Sequence, residues 1–376
     1  MKQTSGFIST YSADTFGVCS ALFELGGMVV MHDASGCNST YTTHDEPRWY
    51  DMDSMVYISG LTEIEAIMGD DAKLISDITE AAKELSPKFI AIAGTPIPAM
   101  TGFDFEAAAA TIKNETGIPA LGFKTTGMRS YIHGAGEAFL RIADSIVKRD
   151  IKRSENPSVN ILGLTPLDFS INQSAGSVIG HYAKKGYEII STWAMGCTLE
   201  DMEKSGAAHM NHVVSETGLP AALRLKELFG TPYSIGVPVG GEDIDITDLY
   251  PDGNTEKNRT AVFSSGDGEV DVLVMGEGIS SKSLAKYLNL KTEKTVVSLT
   301  ATDLSEDEIA ETINSYKNLK KVIADPLFEP LRKRTGDEDR FTFLPLPHEA
   351  FSGRLYRKEI PDLIKNADGI LNGIRQ

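Results

Sequence analysis

Short apolar runs alternate with amphipathic stretches along most of the chain, with a tight turn between the two. KFIAIAGTPIP (88–98), SVNILGLTPLD (158–168), DVLVMGEGIS (271–280) and KKVIADPLFEP (320–330) each read as a β-branched run, a Gly/Pro/Asp turn and the start of a helix. A strand that is apolar at every position is buried on both faces. Helices between such strands therefore predict parallel sheets covered on both sides. The amphipathic stretches carry the helical period, with Ile75, Ile78, Ala82 and Leu85 in AKLISDITEAAKEL (72–85), and Ile309 and Ile313 in SEDEIAETINSYKN (305–318). Thr62 and Glu65 form a capping box for a helix that starts after Gly60-Leu61. Two polar stretches punctuate the pattern, a linker at KRDIKRSENPS (148–158) and an acidic loop at 241–260. The expected fold class is α/β, three Rossmann-like domains with parallel sheets flanked by helices, at 1–155, 156–265 and 266–376.

The length of 376 residues suits two or three such units rather than one core. Net charge is −17, from 36 Lys+Arg against 53 Asp+Glu. Such a surface repels phosphate backbones, and no Lys/Arg stripe with interleaved aromatics occurs, so nucleic acid is not an expected partner. No stretch reaches the roughly 20 apolar residues of a membrane span. MKQTSGFIST lacks the apolar core of a signal peptide, so the cytoplasm is the expected address and a membrane is not.

The chemistry begins at HDASGC (32–37), which follows the apolar run MVV and reads as a strand-to-helix turn. A cysteine there would face unpaired N–H groups and the positive end of a helix dipole, which favour the thiolate that ligates iron or acts as nucleophile. Simple burial of Cys37 as a small apolar residue is the competing reading. Cys19 lies in a helical stretch closed by Gly26-Gly27, where packing is as natural as ligation. Cys197, in WAMGCTLEDM, holds the same kind of strand-end position as Cys37 in the second unit.

Several motifs fail on inspection. No C-x-x-C occurs, which removes zinc ribbons and thioredoxin-like redox chemistry. There is no G-x-x-x-x-G-K-[ST], hence no Walker-type ATP site, and no G-x-S-x-G elbow. Gly276-Glu277-Gly278 is a G-x-G fragment without its third glycine, which ranks a dinucleotide-dependent dehydrogenase last. Asp243, Asp245 and Asp248 lack the glycine of an EF-hand. His209 and His212 (HMNH) would share a helix face but have no third ligand nearby.

HDASGC with its following tyrosine resembles the strand–turn–cysteine segment of the nitrogenase component 1-type oxidoreductases. GLTEIEAIMGDDAKL (60–74), IAGTPIPAMTGFD (92–104), GCTLEDM with the helix ending LFGTPY, and PHEAFSGR (347–354) are similar to further segments of that family. The resemblance implies three Rossmann-like domains and an iron–sulfur cluster between two related subunits, as a homodimer or as a heterodimer with a paralogous chain. It also implies an ATP-hydrolysing iron–sulfur reductase as electron donor, and a small-molecule substrate in the cleft between domains. The missing Walker motif fits that division of labour.

The departures from the family pattern narrow the expectation. Cys37 matches the family's central cluster ligand. The family's first cysteine aligns near Ser12, its third on Pro96, and the cysteine that holds the iron–molybdenum cofactor near Val214. The expectation is therefore one [4Fe-4S] cluster shared between two subunits, held by Cys19 and Cys37 of each, and no dinitrogen reduction on an iron–molybdenum cofactor. Oxygen ligands from Asp33 or Ser12 would be needed if Cys19 does not reach. Thr95, Thr165, Cys197, His209 and His348 are the candidate substrate-reading residues, and none has an assigned catalytic role. The alternative is a cluster-free binding or scaffold protein holding a tetrapyrrole or a metal-cluster precursor in the same cleft.

Overall fold

A computed structural model describes residues 13–36, 38–255, 258–264, 269–336 and 339–375, with Thr43 and His44 described in backbone only. Ser12 and Cys37 lie outside the described residues. The first sheet holds β1 (Met28–His32), β2 (Met55–Ile58), β3 (Ile90–Gly94) and β4 (Ala120–Phe123) in the order β2-β1-β3-β4, all parallel. Its helices are α1 (Asp14–Leu22), α2 (Glu63–Met68), α3 (Ala72–Leu85), α4 (Pro96–Thr101), α5 (Phe105–Thr116) and α6 (Tyr131–Ser145).

The second sheet holds β5 (Ser158–Leu164), β6 (Glu188–Ala194), β7 (Met210–Val213) and β8 (Tyr233–Ile235), ordered β6-β5-β7-β8. Around it run α7 (Pro166–Phe169), α8 (Ser174–Lys184), α9 (Leu199–Glu203) and α10 (Leu219–Phe229). The third sheet holds β9 (Thr260–Phe263), β10 (Val272–Gly276), β11 (Val296–Thr300), β12 (Lys321–Ala324) and β13 (Thr342–Pro345), ordered β13-β12-β10-β11-β9. It carries α11 (Gly278–Thr292), α12 (Glu306–Ser315), α13 (Glu349–Tyr356) and α14 (Asp368–Arg375).

Every residue of β1, β3, β5 and β11 is buried, which is why these segments read as continuous apolar runs. The capping box of Thr62 and Glu65 opens α2, and α3 covers the span its periodicity predicts. The buried stripe of α3 is Leu74, Ile78, Thr79 and Ala82, however, and Leu85 is exposed. The helix is rolled one position from the stripe predicted through Ile75 and Leu85.

Three further expectations change. The HMNH histidines lie at and within β7, not on a helix, because the segment adds a parallel strand beside β5. β9 pairs antiparallel with β11, so the third sheet begins at Thr260, ahead of position 265, and is mixed rather than wholly parallel. The segment after HDASGC forms a short π-helical turn, Tyr41–Asp45, in place of an α-helix.

Candidate functional site

The turn after β1 is built from the strand ends of the first sheet. His32 pairs through Nδ1 with the Ser59 hydroxyl at 2.8 Å and packs its ring on Phe103, and burial pushes its pKa down to about 4. Thr95, at the end of β3, donates to the His32 carbonyl (2.7 Å) and to Asp33 Oδ1 (3.0 Å). Oδ2 of Asp33 is buried with no hydrogen-bond partner.

Beyond position 37 the chain folds back over α1. Tyr41 donates to Glu46 (2.6 Å), and Arg48 ties Glu46 (2.6 Å), Glu24 (2.9 Å) and the Ser20 carbonyl (2.7 Å) together. Glu24 in turn accepts from the Gly196 N–H at 2.8 Å, joining this segment to the turn that follows β6.

Cys19 lies in the same neighbourhood, fully buried on α1 in the apolar core. Burial, reinforced by the nearby Glu46 carboxylate, holds its thiol far above the usual range. A cysteine that ligates a cluster must do so as the thiolate. In this arrangement the Cys19 thiol does not fit that role unless the 38–48 segment moves aside, whereas the unpaired oxygen of Asp33 does fit a hard donor. Cys197, after β6, points its thiol at the Thr198 carbonyl (3.3 Å), and burial pushes it up to about 12. Among the described residues no three His, Cys, Asp or Glu side chains converge to hold a metal ion.

The second place is a cleft between the second and third sheets. Open α/β sheets bind ligands at the carboxyl ends of their strands, and the cleft collects four such ends. Asp168 comes from beyond β5, Glu277 from β10, Asp325 from β12 and His348 from β13, among apolar walls that include Val274, Leu346 and Phe351. Asp168 accepts from Tyr131 (2.5 Å), Ser215 (2.6 Å) and Thr165 (2.8 Å), yet burial outweighs these bonds and pushes it up to about 6. His348 shows neither ring nitrogen hydrogen-bonded, although both are buried, and burial pushes it down to about 4. Its Nε2 lies 3.6 Å from Asp168 Oδ1, too far for a hydrogen bond, and a neutral ring makes this a juxtaposition rather than an ion pair.

Behind the cleft lies a fully buried charge cluster. Glu277 caps α11 by accepting from Ile279 and Ser280 and also takes the Glu216 N–H at 2.8 Å. Gly278 must be glycine, since a Cβ there would stand 1.8 Å from Glu216 Oε1. Lys282 sits 3.8 Å from Glu216 and donates to Tyr250 (3.1 Å) and Thr300 (2.9 Å). Burial first raises both glutamates well above the ordinary range, followed by repulsion from Glu277 at Glu216 and from Asp168 at Glu277.

A raised carboxyl favours the fold at low pH, and that contribution is lost as pH climbs from the ordinary carboxylate range through the raised value. The depressed His32, His212 and His348 act oppositely, losing stability as pH falls from 6.5 towards 4. Glu216→Gln should therefore gain roughly 2 kcal/mol on the wild type between pH 5 and pH 8. Urea midpoints at the two pH values check this, and an equal offset at both would refute it.

Of the residues singled out from sequence, His348 lines the cleft and Thr165 fixes its Asp168. Thr95 belongs to the β1 turn. His209 hydrogen-bonds Ser158 at the amino ends of β5 and β7, the opposite end of the sheet. Asp168, Glu216, Lys282 and Asp325 were not singled out, and Glu277 figured only inside a discounted G-x-G fragment.

Comparison with known proteins places these features in context. A family model described as nitrogenase component 1 type oxidoreductase matches residues 14–247. The chain is 27% identical over 184 residues to the nitrogenase molybdenum-iron protein alpha chain of Clostridium pasteurianum, covering 47% of this chain and 33% of that one. It is 26% identical over 189 residues to a subunit of the light-independent protochlorophyllide reductase of Prosthecochloris aestuarii, covering 47% and 34%. The matched part thus spans about a third of the length of either relative. A solved structure titled nitrogenase Cp1 at pH 6.5 superposes over 100% of this chain and 94% of its own, with TM-score 0.63 and 11% identity, a likeness of fold.

Proposed function

The chain belongs to the nitrogenase component 1 type oxidoreductase family, and from that premise we propose that it is a reductase subunit acting on a small molecule in the cleft between the second and third sheets. Electrons would come from an ATP-hydrolysing iron–sulfur reductase. A [4Fe-4S] cluster at the junction of two subunits, identical or paralogous, would supply one-electron storage when bound. Cys37 and Asp33 of each subunit would hold it, and Cys19 would join them only if the 38–48 segment is displaced. The observation that carries the reading is the unpaired, buried Oδ2 of Asp33, four residues before Cys37 in a turn that the family match covers.

Other features support it. α2 buries none of its residues within this chain and exposes Ile64, Ile67 and Met68, beside Met100 of α4. Such a face suits a contact with another subunit. By the resemblance the family's cofactor cysteine falls near Val214, which is fully buried, so the proposal excludes dinitrogen reduction on an iron–molybdenum cofactor. The buried neutral thiol of Cys19 favours a second reading, a cluster-free protein that holds a tetrapyrrole or metal-cluster precursor in the cleft.

Iron and sulfide measured on anaerobically purified protein decide between them. The first reading expects about two irons per chain, lost in Cys37→Ala, as one four-iron cluster shared by two chains requires. Loss in Asp33→Ala with retention in Cys19→Ala assigns the oxygen ligand, and the reverse assigns Cys19. No iron in any variant, even after reconstitution, overturns the first reading and leaves the second.

A further inference from the structure

We propose that His348 and Asp168 form a proton-handling pair in the cleft, with His348 facing the ligand, Asp168 positioning it, and Tyr131 of the first sheet fixing Asp168. This rests on reading the cleft as the ligand site. Two facts of geometry motivate it. A buried imidazole with both nitrogens unsatisfied forgoes favourable hydrogen bonds, and native proteins seldom leave such a group without a use. Asp168, by contrast, is held by three hydroxyls from three elements, Tyr131 on α6, Thr165 after β5 and Ser215 after β7, with Oδ1 aimed 3.6 Å from His348 Nε2.

The pairing accounts for the proton. Neutral His348 carries its proton on Nδ1 and presents the Nε2 lone pair to the Asp168 carboxyl. When the external donor delivers an electron to the ligand, His348 gives up the Nδ1 proton and takes that of Asp168 on Nε2. The ligand gains one proton and one electron, the imidazole stays neutral, and Asp168 becomes a carboxylate that the three hydroxyls solvate. Proton uptake from water at Nδ1, with return of the Nε2 proton to the Asp168 carboxylate, resets both groups before the second electron of a two-electron reduction. Burial tunes both members in the required directions, the histidine down and the aspartate up.

Other charged groups press on the pair. Glu216 and Glu277 raise the tendency of Asp168 to hold a proton, with Lys282 behind them. Asp325 accepts the His348 backbone N–H at 2.8 Å and favours a charged ring. Glu349 is occupied by Arg357 (2.7 Å) and Ser170 (2.6 Å).

The test reads the ring nitrogens directly. Long-range proton–nitrogen spectra of the full chain with labelled histidines would be recorded from pH 5 to pH 8, and His348→Gln assigns the signal among seven histidines. The pair requires a neutral ring protonated on Nδ1 and a shift of its signals with a midpoint near 6, the titration of Asp168. Asp168→Asn should abolish that midpoint. Tyr131→Phe, by removing a hydrogen bond to the carboxylate, should raise it by roughly one pH unit.

A proton on Nε2, or a midpoint that survives Asp168→Asn, overturns the pair. Should Asp168→Asn not fold, an unmoved midpoint in Tyr131→Phe overturns it equally. None of these readouts needs iron, so an iron-free protein that shows them keeps the pair while losing the electron path proposed above.

Discussion

Gly134→Ala is expected to destabilise the protein by about 3 kcal/mol or more, against a usual range of roughly 1 to 3 for overpacking. The reason is the crossing of α1 and α6, where backbone meets backbone. A Cβ on Gly134 would stand 1.8 Å from the Asp14 carbonyl oxygen, and one on Gly17 would stand 2.1 Å from that of Tyr131. The clash cannot be relieved by rotating a side chain. Nor can Asp14 retreat, since its carboxylate accepts from the backbone of Gly127 (2.7 Å) and Thr15 (2.9 Å) and its own N–H is bound to Arg129.

The control is Gly180→Ala on α8, where nothing lies within 4 Å of the added methyl. There the same change should stabilise by about 0.5 to 1 kcal/mol, the ordinary helix preference of alanine over glycine. Urea midpoints of the two variants should therefore move in opposite directions. Equal shifts would refute the close-crossing argument. The crossing also sets the position of α6, which delivers the Tyr131 hydroxyl to Asp168.

What the sequence made legible follows from where each signal resides. β1, β3 and β5 could be read because burial on both faces makes a strand apolar at every position, a property of the strand alone. The ends of α3 could be read from its periodicity, but its buried stripe could not. Leu74 and Ile75 are both apolar, and the direction from which the sheet approaches decides between them. The HMNH segment misled because two histidines three apart suit a helix face, while β7 is fixed by its pairing with β5 and β8.

The acids in and behind the cleft left no local signature. Asp168, Glu216 and Glu277 sit in PLD, SET and GEG, unremarkable turns separated by long stretches of chain that meet only in three dimensions. One trace did exist. Gly278 is required because the Glu216 carboxylate packs against it, so the second glycine of the fragment marked a close approach rather than a dinucleotide.

Those buried charges give the other large effect. Lys282→Met should cost about 3 to 5 kcal/mol, the range for removing one partner from a buried charge group. Lys282 is fully buried on α11, 3.8 Å from Glu216, and without it two glutamates would face each other with no other salt bridge to either among the described residues. Methionine fills a similar volume, so the loss is electrostatic and not a cavity.

Two features distinguish this account from simple packing damage. The cost should grow from pH 5 to pH 8, because the raised glutamates ionise across that interval and repulsion appears only when both are charged. It should also shrink in a Glu216→Gln background, where one of the two charges is gone, giving a coupling of at least about 1 kcal/mol in the double-mutant cycle. The loss should be local as well. Glu216 follows β7 and Lys282 lies on α11, so the cluster clasps the second sheet's unit to the third's directly behind the cleft. Hydrogen exchange in Lys282→Met should therefore quicken first at 215–219 and along α11, with the first sheet unchanged. An additive cycle and uniform loss of protection would mean that the lysine merely fills space, and that the cleft is held together by its apolar walls.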